Sequence, residues 1–207
     1  MNREHPRHVT LSVAIRSLRT QRVFAVVCGV IRAVNRLRGN EFRIVEFSVQ
    51  SNHIHLMVEA DNDAALSHGM QALTIRLVRR INRLLGRRGS LFTDRFHDRS
   101  LKTARAVRQV LAYIFANFRK HGTVEALRGF SLDPFSSAPF FDGFCAADFD
   151  SVFSSPVGFG PSGMSGRPPP DASSTRGNVQ GQSRFLRGGW KREGLLSIGY
   201  WPASGNH

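Results

Sequence analysis

Residues 41–59 constrain the fold more tightly than any other stretch. Val45, Phe47 and Val49 alternate with Ile44, Glu46, Ser48 and Gln50, and after Ser51-Asn52 the alternation resumes as His53-Ile54-His55-Leu56-Met57-Val58-Glu59. A period of two marks a half-buried strand. The two-residue interruption suits a tight hairpin, although Ser-Asn is a weaker turn signal than Asn-Gly. With that loop, Gln50 lies opposite His53, Ser48 opposite His55 and Glu46 opposite Met57, and cross-strand partners share a face. His53 and His55 then project the same way, among Gln50, Ser48 and Glu46, while Ile54, Leu56 and Val58 face a core. Two imidazoles so placed are close enough to grip one metal ion. In a chain with eight histidines, chance also supplies such a spacing, so the remaining residues must decide.

The flanking sequence has room for one domain built around this hairpin. Residues 8–15 alternate apolar and β-branched side chains as a first strand. From Thr20 to Leu37, valines recur at helical spacing, and Gly39-Asn40 ends the run. Asp61-Asn62-Asp63 offers an N-cap for a long helix to about Gly86, with an apolar stripe of Leu66, Met70, Leu73, Leu77, Ile81 and Leu84. Residues 90–102 read as irregular or extended. Thr103 caps a last helix to about Lys120, with Val107, Val110 or Leu111, Ile114 and Phe118 as its buried stripe and Tyr113 and Asn117 four apart on a neighbouring face. Strand, helix, strand, strand, helix, extended segment, helix is the order of a ferredoxin-like split βαβ plan. The expected fold is therefore α+β, one antiparallel sheet with helices on one face. The histidines are left on an open sheet face, over which the last helix can lie.

Charge points to a partner. Of 29 Lys and Arg and 15 Asp and Glu, residues 1–130 carry 23 basic and 9 acidic, a net of +14, whereas residues 131–207 carry six of each. Arginine's planar fork suits phosphate, and an excess of this kind fits nucleic acid. Arg76, Arg79, Arg80, Arg83, Arg87 and Arg88 form a track on and after the long helix; Arg95, Arg99 and Lys102 lie among aromatics in the segment that follows. His97, in that same segment, suits an edge strand equally well. Cys28 and Cys145 are far apart and imply neither disulfide nor metal spacing. The charged N-terminus lacks a signal-peptide pattern, and no stretch reaches the roughly 20 apolar residues of a membrane span. The expectation is a cytosolic protein with no membrane partner. By composition the chain divides into a domain over 1–129, a Phe-rich segment over 130–153 that packs on it, a Gly/Pro/Ser-rich flexible linker over 154–183, and a docking segment or tail over 184–207.

A pair of imidazoles and a helical tyrosine on a basic domain suggest metal-assisted phosphoryl transfer with a protein nucleophile. A phenol of pKa about 10 is a poor nucleophile at neutral pH, and a divalent cation polarises a phosphodiester and orients its leaving oxygen. Imidazoles alone leave the coordination sphere open. An oxygen donor is needed, and Asn117, Gln50 and Glu46 are the alternatives. Mg²⁺ or Mn²⁺ fits such mixed ligation beside a phosphate, whereas structural zinc would want further Cys or His at suitable spacing.

His53-Ile54-His55, followed about sixty residues later by a tyrosine on a helix, resembles the single-tyrosine HUH transposases of small insertion sequences, and among them the REP-associated tyrosine transposases. The likeness is carried by Ser48-Val49-Gln50-Ser51-Asn52-His53-Ile54-His55-Leu56, Arg95-Phe96-His97-Asp98-Arg99 and Tyr113-Ile114-Phe115-Ala116-Asn117, and it covers roughly residues 8–121. The resemblance implies that Tyr113 attacks single-stranded DNA, leaving a 5′-phosphotyrosine and a free 3′-hydroxyl. It implies that His53 and His55 hold the metal together with an oxygen from the tyrosine helix, here Asn117, where better-known members carry Gln. It further implies recognition of hairpin DNA, which suits the arginine track, and allows a homodimer. The N-terminal Gly-Thr-Gly signature of the REP-associated group has no clear counterpart here. Two other readings use the same residues: a domesticated, non-cleaving binder of hairpin or single-stranded DNA, and a metal-dependent hydrolase in which Tyr113 is merely packed.

Overall fold

The computed structural model describes residues 5–120 and 132–144, with Leu186, Gly189, Lys191 and Leu196 beyond them. The linker expected over 154–183 and most of the segment expected over 184–207 lie outside the described residues. Seven main elements follow in order: β1 (Arg7–Ser12), α1 (Gln21–Arg38), β2 (Phe42–Val49), β3 (His53–Ala60), α2 (Asp63–Leu85), β4 (His97–Ser100) and α3 (Ala104–Lys120). The sheet runs β2-β3-β1-β4 with every pairing antiparallel, the strand order of a split βαβ unit.

Local signals set the boundaries. Val23 N donates to Thr20 Oγ1 at the start of α1, Ala65 N to Asn62 Oδ1 at the start of α2, and Ala106 N to Thr103 Oγ1 at the start of α3, each satisfying an amide that the first turn leaves unpaired. Gly86 closes α2 in the left-handed conformation, φ 61°, which a side chain would resist. The hairpin has the expected register: Glu46 faces Met57, Ser48 faces His55, and Gln50 N donates to the His53 carbonyl at 2.8 Å. Val45 is an extra residue between Ile44 and Glu46, a bulge that shifts the alternation by one, so that Ile44 and not Val45 joins Phe47 and Val49 in the core, contrary to the simple period of two. Segment 90–102, expected to be irregular or extended, holds the short edge strand β4, whose His97, Asp98 and Arg99 are exposed.

Alternation then sorts side chains into two layers. Val9, Leu11, Ile54, Leu56 and Val58 meet Val23, Val27, Val30 and Val34 of α1 and Leu66, Met70, Leu73 and Leu77 of α2. At Gly69 the helix comes so near the sheet that a Cβ would stand 2.2 Å from Phe42 Cγ. α3 lies on the other face, the one bearing the histidines: Met57 packs with Val107, Val110, Leu111 and Ile114. The helix pair of the split βαβ unit thus covers one face, and the additional third helix covers the other.

Residues after α3 return to the domain. Phe141 and Phe144 stack on Phe115 of α3, with ring centroids 4.7 and 5.7 Å away. Phe135 to Ser137 run along the outer edge of β2: Val49 N donates to the Phe135 carbonyl at 2.8 Å and Ser137 N to the Phe47 carbonyl at 2.9 Å. Farther along the same edge the buried Asn35 grips Ile44, donating from Nδ2 to its carbonyl (2.9 Å) and accepting from its amide (2.8 Å). The edge is thereby closed to other strands.

Candidate active site on the histidine face

Strand β1 lies beside β3, and its register sets Thr10 opposite His55, Ser12 opposite His53 and His8 opposite Met57. Cross-strand partners share a face, so His8 and Thr10 join the two histidines. The rings of His53 and His55 are nearly parallel, 9° apart, with centroids at 6.2 Å. His8 lies 5.4 Å from His55. The Tyr113 ring comes down from α3 edge-on to both, 5.3 Å from His55 and 5.9 Å from His8. The geometry therefore joins the tyrosine to the histidine pair through His55.

Hydrogen bonds orient the imidazoles. His53 Nδ1 is 2.8 Å from Asn52 Oδ1; an amide oxygen only accepts, so Nδ1 carries the proton and the lone pair is on Nε2. His55 Nδ1 lies 3.3 Å from Thr10 Oγ1. Partners of this kind fix the ring tautomer and angle of a metal-binding histidine. Burial pushes the Tyr113 phenol above its ordinary range, because the desolvated phenolate is the disfavoured form.

Asn117 follows Tyr113 by one turn on the same side of α3. It is fully buried, and among the described residues neither its amide oxygen nor its amide nitrogen has a hydrogen-bond partner. Leaving such a group bare costs about 1–3 kcal/mol, and a bound ion is one of the few physical reasons to keep one. No three His, Cys, Asp or Glu side chains converge to hold an ion among the described residues. The donors on offer are two imidazoles and amide oxygens, a mixed nitrogen and oxygen set that fits a hard divalent cation also bound by water or phosphate. Gln50, Ser48 and Glu46 line the neighbouring strand as expected, all buried.

Residues 14–117, half of the chain, match the IS200-like transposases. The chain belongs to that transposase family. A REP-associated tyrosine transposase, solved bound to a REP hairpin, shares the fold with a TM-score of 0.52 and 20% identity, over 65% of this chain and 76% of the other. A candidate transposase of Deinococcus radiodurans aligns with a TM-score of 0.40 and 16% identity, over 53% of this chain and 87% of the other. No curated protein matches the chain. Among the described residues, no helix of this transposase is long and apolar enough to cross a membrane.

The basic residues of this IS200-like transposase fall into two groups. Arg99 stands opposite His8 and His97 opposite Thr10, so both share the histidine face; Arg95 and Lys102, which flank β4, are exposed. The α2 track lies in the layer across the sheet. Arg79, Arg80, Arg83 and, just beyond the helix, Arg88 are exposed there. Arg76 donates to the Ala72 carbonyl at 3.0 Å and Arg87 to the Ser90 carbonyl at 2.8 Å. The structure thus brings Arg99 to the histidines and leaves the α2 arginines on the other side.

Two features of the site escape the sequence reading. His8 and Thr10 were legible as the outward half of an alternating strand, but only the pairing of β1 with β3 puts them beside His55. Asp133, fully buried, comes from beyond α3: Arg19 Nη1 and Nη2 donate to its two oxygens at 3.0 and 2.8 Å, and it reaches Ser48 and Gln50. No local pattern announces that contact.

Proposed function

We propose that this transposase cleaves and rejoins single-stranded DNA through a covalent bond to Tyr113. The Tyr113 oxygen attacks the scissile phosphorus; the new Oη–P bond replaces the P–O3′ bond, the phenolic proton passes to solvent water, and the departing 3′ oxygen takes a proton from solvent to become a 3′-hydroxyl. The DNA is left as a 5′-phosphotyrosine, and attack by a 3′-hydroxyl reverses the step to join strands. Transposases of this family generally depend on a metal ion. His53, His55 and Asn117 would hold a divalent cation, Mg²⁺ or Mn²⁺, which when bound supplies Lewis-acid polarisation of the phosphate and neutralises developing charge. His55 and His8 frame the tyrosine ring, and Asn52 and Thr10 orient the imidazoles.

The observation that carries this reading is the Tyr113 ring set edge-on against His55, with the unpartnered amide of Asn117 one turn farther along the helix. Arg95, Arg99 and Lys102 suit the strand entering the site. The α2 arginines, across the sheet, suit a separate segment of the same DNA. The neighbour solved with a REP hairpin makes a hairpin the substrate to try first.

The test is incubation of hairpin-bearing single-stranded DNA with the protein and Mn²⁺. A protein–DNA adduct stable in denaturant is expected, absent with Tyr113→Phe and without divalent metal. Full-strength adduct in Tyr113→Phe overturns the assignment. Tight, salt-sensitive binding with no adduct under any divalent metal would instead identify a non-cleaving binder.

A further inference from the structure

Gln50 shares the histidine face, across the hairpin from His53, and is almost completely buried. Its two amide ends meet different surroundings. Nε2 donates to Ser48 Oγ at 2.6 Å and to Asp133 Oδ2 at 3.3 Å. Ser48 Oγ in turn donates to Asp133 Oδ2 at 3.3 Å. A carboxylate accepts only, so the end of Gln50 facing Asp133 must be the NH₂ group, and the amide cannot flip without setting oxygen against oxygen. Asp133 is itself held from the other side by both Arg19 nitrogens, and Phe135 N donates to its Oδ1 at 3.0 Å. The result is a clasp that ties down the donor end of Gln50 and turns its Oε1 away. That oxygen is buried without a hydrogen-bond partner among the described residues.

We infer that Gln50 Oε1 is a further oxygen ligand of the divalent cation, and that Asp133, supplied by the segment beyond α3, is the positioning residue that aims it. The inference rests on the metal site put forward under Proposed function. An unpaired buried acceptor on the face that carries two imidazoles and lies beneath a helix with a second unpaired amide is a donor awaiting a cation. Asp133 and Arg19 act as the outer partners that orient a ligating group, a layer whose loss typically costs about 10- to 100-fold in metal affinity. The post-α3 segment is thereby a structural participant in the site, although it lies beyond the residues that match the family.

The test is Mn²⁺ binding to the full chain, read by electron paramagnetic resonance and calorimetry, with melting of the metal-free protein as the folding control. Wild type should bind one Mn²⁺ and the double variant His53→Ala, His55→Ala none. Gln50→Met, close in volume and lacking the oxygen, should bind about tenfold more weakly or worse while melting as wild type does. Asp133→Asn should also weaken binding, and combined with Gln50→Met it should be no worse than Gln50→Met alone, because it acts through that side chain. If Asp133→Asn does not fold, Ser48→Ala takes its place in the same cycle. Wild-type affinity in Gln50→Met overturns the ligand assignment and leaves the two-histidine site standing. Strictly additive losses overturn the relay from Asp133. Wild-type binding in the double histidine variant overturns the metal site itself.

Discussion

Tyr113 sits where its own ionisation is disfavoured. Desolvation raises its pKa, so the folded, metal-free protein keeps it protonated well past neutrality. The chain has two tyrosines; in a Tyr200→Phe variant the remaining phenol should therefore titrate above 10 by ultraviolet absorbance in the absence of metal. Cys28, packed in α1, is pushed up to about 11 by burial. Its unfolded counterpart ionises near 9, so from pH 9 to about 11 the unfolded chain releases this proton first, and the side chain costs stability as pH rises through that window, on the order of 2 kcal/mol in all. Denaturant melts at pH 8 and pH 10.5, compared with those of Cys28→Ala, isolate the effect; an equal loss in both proteins would show that Cys28 is not its source. Gly69 illustrates steric fit at the same scale. Gly69→Ala sets a methyl carbon 2.2 Å from the Phe42 ring and should destabilise by about 1–3 kcal/mol through overpacking, despite alanine's better helix propensity.

Among the elements, β2 shows how an edge strand is finished. Its outer groups are taken by Asn35 at Ile44 and by Phe135 and Ser137 at Val49 and Phe47. Asn35→Ala should cost about 1–3 kcal/mol in a chemical melt, because the Ile44 amide and carbonyl would be left buried and unpaired; Asn35→Asp keeps the acceptor but sets a second oxygen against the Ile44 carbonyl, so it should not restore wild-type stability. The hairpin, the N-caps of α2 and α3 and the Tyr113–Asn117 pair were all legible in the sequence, since each depends on residues within a few positions of one another. The α2 stripe was legible too. Its arginines and the basic residues of 95–102 both suit nucleic acid by type and spacing, but a sequence does not say which face of a sheet a helix will cover. His8 was hidden for the same reason: strand alternation is local, whereas strand order is not. Asn35 and Asp133 left no signal at all, because one looks like any polar residue in a helix and the other acts on β2 from some eighty residues away.

At the scale of the whole molecule, positive charge is divided between two faces with different expected duties. Neutralising Arg79, Arg80 and Arg83 together should weaken hairpin binding and flatten its dependence on salt by about three counterions, while strand cleavage at saturating DNA changes little. Arg99→Ala, on the histidine face, should lower adduct formation at saturating DNA. Filter binding across a salt series, paired with the adduct assay, separates the two; equal effects of both variants in both assays would refute the division. The closing of β2 also has a consequence in time. Translation delivers all seven elements by Lys120, before Asp133 and Ser137 exist. A nascent chain at that stage can assemble the sheet and its helices, yet Arg19 has no carboxylate to meet and half of the outer edge of β2 still offers amides and carbonyls to any passing strand. A pause after α3 has emerged from the ribosome and before Ser137 follows would hold the molecule at its most adhesive, so the speed of translation over that interval bears on how much protein reaches its finished form.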